Sequence, residues 1–114
     1  MAEAARLICA SAELADGGKG VRFEIQTASG MQAAFAVRYG GKVFGFLNRC
    51  AHIGIELDWQ PGEFFDESGL YLVCTTHGAT YQPESGQCIA GPCRGAKLIR
   101  LDISEQDGGV YLLK

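Results

Sequence analysis

Apolar and polar residues alternate along several short stretches of the chain, a pattern typical of half-buried β-strands. The apolar positions that share a face in these stretches are Val21, Phe23 and Ile25, then Ala33, Phe35 and Val37, and later Ile99, Leu101 and Ile103. Gly40-Gly41 predicts a tight hairpin turn that leads into a strand over residues 43–47. We therefore predict a domain built mainly of short strands.

Two further apolar runs, residues 70–73 and 110–113, predict strands near the middle and the end of the chain. Residues 60–69 predict an extended hairpin tip, and the glycine-rich residues 17–20 predict a loop between strands. Residues 7–14 fit no element clearly, and no long helix, repeat or linker is evident. With 16 glycines, the chain is predicted to be an all-β domain of small antiparallel sheets.

Length and charge restrict the class of protein further. A chain of 114 residues, 47% of them hydrophobic, is large enough for one domain, residues 1–114, with its own core. The net charge of −3 and the lack of a basic run argue against a nucleic-acid partner. The first residues lack a basic region followed by an apolar run, and no stretch approaches 18 apolar residues. We therefore expect a cytoplasmic protein without a membrane partner.

Two short motifs pair a cysteine with a histidine. Cys50 and His52 are separated by one residue, Cys74 and His77 by two, and the motifs use both histidines of the chain. Two sulfur and two nitrogen donors fit either a tetrahedral zinc or a [2Fe–2S] cluster with two Cys on one iron and two His on the other. Zinc sites more often pair like with like, so the order Cys-His, Cys-His disfavours zinc.

The motifs and their surroundings resemble Rieske iron–sulfur proteins. The family pattern is Cys-x-His, then Cys-x-x-His-Gly, then a Gly-Pro loop, which is Gly91-Pro92 in this chain. The resemblance runs from about residue 43 to residue 101, with the cluster-binding part at about residues 48–93. It implies a Rieske-type fold of small antiparallel sheets, in which two loops and the Gly-Pro loop hold a [2Fe–2S] cluster.

The resemblance also implies a role for each site residue. Cys50 and Cys74 would bind the inner iron, and His52 and His77 the outer iron near the surface. The residues implied to lie around the cluster are Ile53, Gly54, Gly78, Tyr81 and Pro92. No residue is assigned a catalytic role, because both histidines are committed to the cluster and none remains for the mononuclear iron site of an oxygenase.

The implied function is transfer of single electrons from a flavin-dependent reductase to a separate oxygenase or other redox enzyme, so that the chain is an electron carrier rather than an enzyme. One alternative is a redox subunit of a larger enzyme, such as a nitrite-reductase-like complex. Another is a zinc-stabilised binding module. The remaining cysteines, Cys9, Cys88 and Cys93, are interpreted as plain thiols, with a Cys88–Cys93 disulfide left open.

Departures from the family pattern place the chain among the low-potential members. The extra cysteines that form a disulfide in respiratory-complex members correspond here to Ile55 and Thr76. The serine two residues after the second histidine of high-potential members is Ala79, whereas the tyrosine two residues further on is retained as Tyr81. The gap of 21 residues between His52 and Cys74 is longer than the family pattern suggests.

The first prediction concerns the reduction potential. Two thiolates and two neutral imidazoles leave an oxidised [2Fe–2S] core neutral, so Rieske centres lie at roughly −150 to +300 mV, against about −400 mV for plant-type ferredoxins. Because the hydroxyl donor at position 79 is missing, we expect a midpoint in the lower half of this range. A potentiometric titration measures it, and a value near the top of the range would contradict the assignment.

Overall fold

The computed structural model describes residues 6–28, 30–49, 57–58, 62–74, 79–91 and 96–113. These residues form short strands and one 3₁₀ turn, Ser11–Glu13. The strands are β1 (Arg6–Ala10), β2 (Val21–Thr27), β3 (Gly30–Tyr39), β4 (Lys42–Leu47), β5 (Leu72–Cys74), β6 (Ala79–Tyr81), β7 (Cys88–Ala90), β8 (Arg100–Leu101), β9 (Ile103–Gln106) and β10 (Gly109–Leu112).

The strands form three antiparallel sheets. The central sheet has the order β2-β3-β4-β8, the outer sheet the order β1-β10-β9, and the small sheet the order β5-β6-β7. In the central sheet, β2, β3 and β4 follow one another as hairpins, and β8 adds the far edge. The predicted all-β architecture of small antiparallel sheets is confirmed.

The central sheet is buried on both faces. Phe35, Val37 and Phe46 face one core, which contains the buried side chains of the small sheet. Ala36, on the opposite face of β3, belongs to a second core with Cys9 and Val110 of the outer sheet, against which Val21, Phe23, Val43 and Ile103 pack. Because side chains alternate along a strand, β3 supplies both cores from adjacent positions.

Phe64 joins the segment before β5 to the central sheet. Its fully buried ring stacks on Phe35 with centroids 4.0 Å apart and planes 12° apart. Phe65 forms a bridge with Leu72, and the Val73 N–H donates to the Phe64 carbonyl at 2.9 Å. The predicted extended hairpin over residues 60–69 is therefore confirmed where it is described, and the Phe64 ring packs in the core.

The predicted turn between β3 and β4 is confirmed. Tyr39 pairs with Lys42 across the two-residue loop, and Gly40 and Gly41 have φ of +62° and +82°. Positive φ at both positions is the requirement of the hairpin turn whose twist matches that of the flanking strands. Glycine meets this requirement without steric cost.

Other strand predictions were wrong in detail. The alternation of Ile99, Leu101 and Ile103 suggested one strand, but β8 ends at Leu101 in the central sheet and β9 begins at Ile103 in the outer sheet. Ile99 is 57% exposed, although its carbonyl still accepts from the Leu47 N–H of β4 at 2.9 Å. Residues 70–73 were predicted as a strand, yet β5 begins only at Leu72. The unassigned segment 7–14 is mostly β1 and the 3₁₀ turn.

Arg38 ties the central sheet to the outer one. Its side chain leaves β3 and donates to the carbonyls of Leu14, Gly41 and Ser11. Both Nη atoms also donate to the carboxylate of Glu105 on β9. This hydrogen bond from Arg38 is the largest of the effects that lower the pKa of Glu105 to about 2, from an ordinary value of 4.5.

The second prediction tests this contact. The Arg38→Met substitution removes the donors of several carbonyls and is expected to lower the free energy of unfolding by about 1–3 kcal/mol near neutral pH. Because the pKa of Glu105 is lowered in the fold, its stabilising effect is present above pH 4.5 and is lost as the pH falls toward 2. The difference in unfolding midpoint between wild type and variant should therefore shrink over this pH range, as measured by circular dichroism.

The matched control is Lys42→Met at an exposed position of β4. It should change the stability by no more than about 0.5 kcal/mol. An Arg38→Met variant as stable as this control would show that the guanidinium contacts contribute nothing to folding.

Candidate metal centre

Cys74 lies at one end of the small sheet, where β5 ends, β6 begins and β7 ends. This end of the sheet is called its edge below. Cys74, the last residue of β5, is fully buried and pairs with Ala79, the first residue of β6. Residues 75–78, which include His77, therefore connect two paired strand ends. β7 returns to the same edge, since Thr80 pairs with Ala90. Gly91 follows there with φ of +99°, directly before Pro92, so the second motif and the Gly-Pro segment start from one edge.

The chain between β4 and β5 reaches this edge as well. Phe65 pairs with Leu72, and the Phe64 carbonyl accepts from the Val73 N–H. Because antiparallel neighbours run in opposite directions, the residues just before Phe64 approach this pairing from the side on which Cys74 lies. Gly62 is two residues before Phe64, and its carbonyl accepts from the Gly20 N–H at 2.9 Å.

A buried polar pair joins the two sides of the first motif. Asn48 and Asp58 flank residues 50–56 and are 3% and 5% exposed. The Asn48 Nδ2 donates to Asp58 Oδ1 at 2.9 Å, and Asn48 Oδ1 accepts from the Leu57 N–H at 2.8 Å. Asp58 Oδ2 accepts from the Gly62 N–H at 2.9 Å. The segment containing Cys50 and His52 therefore begins and ends at one hydrogen-bonded base.

An arginine balances the buried carboxylate of this base. Arg22 Nε lies 3.3 Å from Asp58 Oδ2, and the side chain of Asp58 is fully buried whereas that of Arg22 is 38% exposed. Burying a charge is costly unless it is paired and hydrogen-bonded. The Asp58 carboxylate meets both conditions through Arg22, Asn48 and Gly62.

The polar base was not predicted from the sequence. Asn48 follows the apolar end of β4 and Asp58 follows Leu57, so both occur beside buried positions. That location is the only signal the sequence offers, and it does not distinguish a buried polar residue from a loop residue. Arg22 alternates with apolar residues in β2, a pattern that predicts an exposed side chain and gives no sign of a buried carboxylate beside it.

The structure describes only some of the predicted site residues. It brings Cys74 and Tyr81 together in the small sheet, where Tyr81 is fully buried and pairs with Leu72 and Cys88. The predicted residues outside the described ranges are Cys50, His52, Ile53, Gly54, His77, Gly78 and Pro92. Ile55, Thr76 and Cys93 lie outside them too, as does Trp59.

Two other cysteines have environments that differ from that of Cys74. Cys9 lies in the second core, and burial, followed by the nearby Glu13, raises the pKa of its thiol. A raised pKa favours the protonated thiol, whereas metals bind the thiolate. The Cys88 Sγ donates to the Ala90 carbonyl at 3.2 Å. Cys74 is thus the described cysteine that lies at the edge where the second motif starts.

The donor set and its supports fit an iron–sulfur cluster. A buried sulfur at a strand end, a histidine within the next four residues and a Cys-x-His segment that follows the Asn48–Asp58 pair would supply two thiolates and two imidazoles. Cys74 also lies in an apolar core with Phe64 and Leu72, so a cluster there would be shielded from water on its inner side. The fold and the site together define a small iron–sulfur protein.

Comparison with known proteins gives the family. The family model of the Rieske [2Fe-2S] domain matches residues 5–104, and the chain belongs to this family. Membership implies a [2Fe–2S] cluster held by two cysteines and two histidines, which decides against zinc. No curated protein matches the chain significantly in sequence.

Solved structures of similar fold include redox proteins. A ferredoxin of Sphingomonas yanoikuyae B1 is 22% identical, with a TM-score of 0.74 over 97% of this chain and 99% of the other. A complex of reduced oxygenase and oxidised ferredoxin in carbazole 1,9a-dioxygenase contains a chain that is 18% identical, with a TM-score of 0.73 over 97% and 94%. In the reduced oxygenase–ferredoxin complex of that system, the matched chain is longer, and 28% of it is covered at 18% identity and a TM-score of 0.71.

At identities of 18% and 22%, the structural likeness shows the fold alone. It confirms the predicted Rieske-type architecture. In the part of the chain that the structure describes, no helix has the length and apolar character needed to cross a membrane.

The third prediction concerns Ala79. This residue is fully buried and pairs with Cys74, so a hydroxyl at its position is well placed to donate toward a cluster bound at this edge. We expect Ala79→Ser to raise the midpoint potential by about 20–60 mV, the equivalent of one hydrogen bond of about 0.5–1.5 kcal/mol to the reduced form. Protein-film voltammetry measures the change.

The matched control is Ala36→Ser, which places the same hydroxyl in the second core, on the other face of the central sheet. It should leave the potential unchanged. Equal potentials for wild type and Ala79→Ser would mean that position 79 does not face the cluster.

Proposed function

We propose that the chain is a one-electron carrier whose [2Fe–2S] cluster is bound by Cys50, His52, Cys74 and His77. The observation that carries the proposal is the shared edge. Cys74 ends β5 there, and β7 leads into the Gly-Pro segment there. The Asn48–Asp58 base of the first motif is hydrogen-bonded to Gly62, which precedes the residues that pair with β5.

The composition of the chain supports the ligand assignment. A Rieske cluster requires two histidines, and the chain contains two, His52 and His77. Of its five cysteines, Cys9 is buried in the second core and Cys88 donates its thiol to a carbonyl. Cys50 and Cys74 are the cysteines that precede the two histidines at the family spacing.

The scaffold suits electron transfer. When bound, the cluster supplies a centre that accepts and releases a single electron. The chain's own residues hold one side of it rigidly, since Cys74 is fixed by the β5–β6 ladder and by the core around Phe64. The two imidazoles would lie on the outer side, toward solvent, where a partner can approach. The residues proposed to form the apolar contact surface there are Ile53, Gly54, Gly78 and Pro92.

The proposed partners are a flavin-dependent reductase as donor and a terminal oxygenase or other redox enzyme as acceptor. Support comes from the similar fold of the Sphingomonas yanoikuyae B1 ferredoxin and of chains in oxygenase–ferredoxin complexes of carbazole 1,9a-dioxygenase.

The fourth prediction tests the cluster and its ligands. The protein reduced with dithionite should give a rhombic EPR signal with an average g value below that of all-cysteine ferredoxins. It should then pass electrons from a flavin-dependent reductase to an acceptor enzyme. The His52→Cys variant should keep part of its cluster and show a lower potential, because a thiolate adds negative charge to the centre.

Cys9→Ser is the control for ligand variants, since Cys9 lies in the core away from the small sheet. It should keep the iron content and the EPR signal, whereas Cys74→Ser should lose most of both. A His52→Cys variant with the wild-type potential would show that His52 is not an iron ligand. An EPR-silent reduced protein would refute the carrier function.

A further inference from the structure

The Asn48–Asp58 pair is unusual within the described part of the chain, because these are the two buried polar or charged residues found there. Asn48 uses its amide nitrogen and its amide oxygen, and Asp58 uses both carboxylate oxygens. Each of these atoms has at least one partner of matching polarity, and Asp58 Oδ2 also pairs with Arg22. Such a buried network favours one geometry, since another arrangement leaves a donor or an acceptor without a partner.

The location of the pair indicates what this geometry controls. Asn48 is two residues before Cys50 in the sequence, and the Leu57 N–H that binds Asn48 follows directly after the last residue of segment 50–56. Asn48 is itself held to the central sheet, because its N–H donates to the Ala33 carbonyl at 2.9 Å. The start and the end of the first motif are therefore joined by side-chain hydrogen bonds and anchored to a rigid strand.

Asp58 extends this connection toward the second motif. Its Oδ2 accepts from the Gly62 N–H at 2.9 Å, and Phe64 and Phe65, two and three residues further on, pair with β5, which ends at Cys74. Arg22 on β2 pairs with the same oxygen, so the negative charge of the carboxylate is balanced within the network. One buried carboxylate thus links the base of the first motif to the strand that delivers the second.

We propose that Asn48 and Asp58 are positioning residues, which fix the base of segment 50–56 so that Cys50 and His52 reach the cluster held at Cys74. The inference rests on the proposed assignment of Cys50 and His52 as ligands. Two apolar side chains at these positions would not have this role. Apolar contacts are not directional, so they would not fix the two ends of the segment relative to each other.

The test reverses the polarity of the pair. Asn48→Asp alone places two carboxylates face to face, and Asp58→Asn alone sets an amide nitrogen against either the Gly62 N–H or the Asn48 amide nitrogen. The double variant N48D/D58N restores the hydrogen bond between the two side chains, since the amide at position 58 donates to the carboxylate at position 48, but the negative charge moves away from the oxygen that pairs with Arg22. The carboxylate still accepts from the Leu57 N–H, and the amide oxygen still accepts from the Gly62 N–H.

Two readouts are measured at one pH on the folded, cluster-loaded proteins. The first is the rate at which a ferrous-iron chelator bleaches the cluster, and the second is the EPR spectrum of the reduced protein. We expect each single variant to lose its cluster on the order of 10–100-fold faster than wild type, with altered g values. The double variant should bleach more slowly than Asn48→Asp alone, which carries the same carboxylate at position 48, and its g values should lie closer to those of wild type.

Arg38→Met separates positioning from general destabilisation, because it weakens the contact between the central and outer sheets without touching the network. Bleaching accelerated equally by Arg38→Met and by the single variants would overturn the inference, as would single variants that keep the wild-type g values. A double variant that bleaches as fast as Asn48→Asp alone would also overturn it. A wild-type protein without a Rieske EPR signal would instead overturn the proposed function, and the inference with it.

Discussion

The stack of Phe64 on Phe35 is the contact on which the cluster-bearing part of the molecule depends. The small sheet has strands of only three residues, and so few paired residues do not form a stable unit in water. The stacked rings, 4.0 Å apart, attach the segment beside β5 to the central sheet, and burial of a phenylalanine contributes about 1.5–3 kcal/mol. Gly86 adds a second attachment, since a Cβ there would lie 2.7 Å from the Phe46 ring.

The two faces of the central sheet serve different purposes. On the cluster side, the large rings of Phe35, Phe46 and Phe64 fill the core. On the other side, Ala36 lets the outer sheet approach closely, and Arg38 fastens it through carbonyls and Glu105. The aromatic core therefore holds the redox site, whereas the small-residue core and its arginine hold the support behind it.

Much of the fold follows from local patterns. The alternation in β2 and the Gly40-Gly41 turn depend on neighbouring residues, and the structure has both. The break at Asp102 could not be predicted, because the alternation continues through it while the chain changes sheets, and only pairing with β4 or β10 reveals the change.

The candidate site likewise has one part that the sequence predicts and another part that only the fold reveals. The cysteine and histidine motifs are recognisable because their spacing is local. The Asn48–Asp58 base joins residues that are far enough apart for their pairing to depend on the fold, and a polar residue after an apolar run is usually exposed. Burial and hydrogen-bond partners, neither of which the sequence states, distinguish them from loop residues.

The order of the strands bears on how the chain acquires its cluster. β2, β3 and β4 pair with their neighbours in sequence, so they close short loops at a small entropic cost. The pairing of β1 with β10, in which Arg6 meets Leu112, must bring distant parts of the chain together, and such contacts form slowly. We therefore expect the β2–β4 meander to fold early and to present Asn48 on an ordered strand end before the outer sheet closes. Iron and sulfide would then be delivered to a chain whose receiving edge is already partly built.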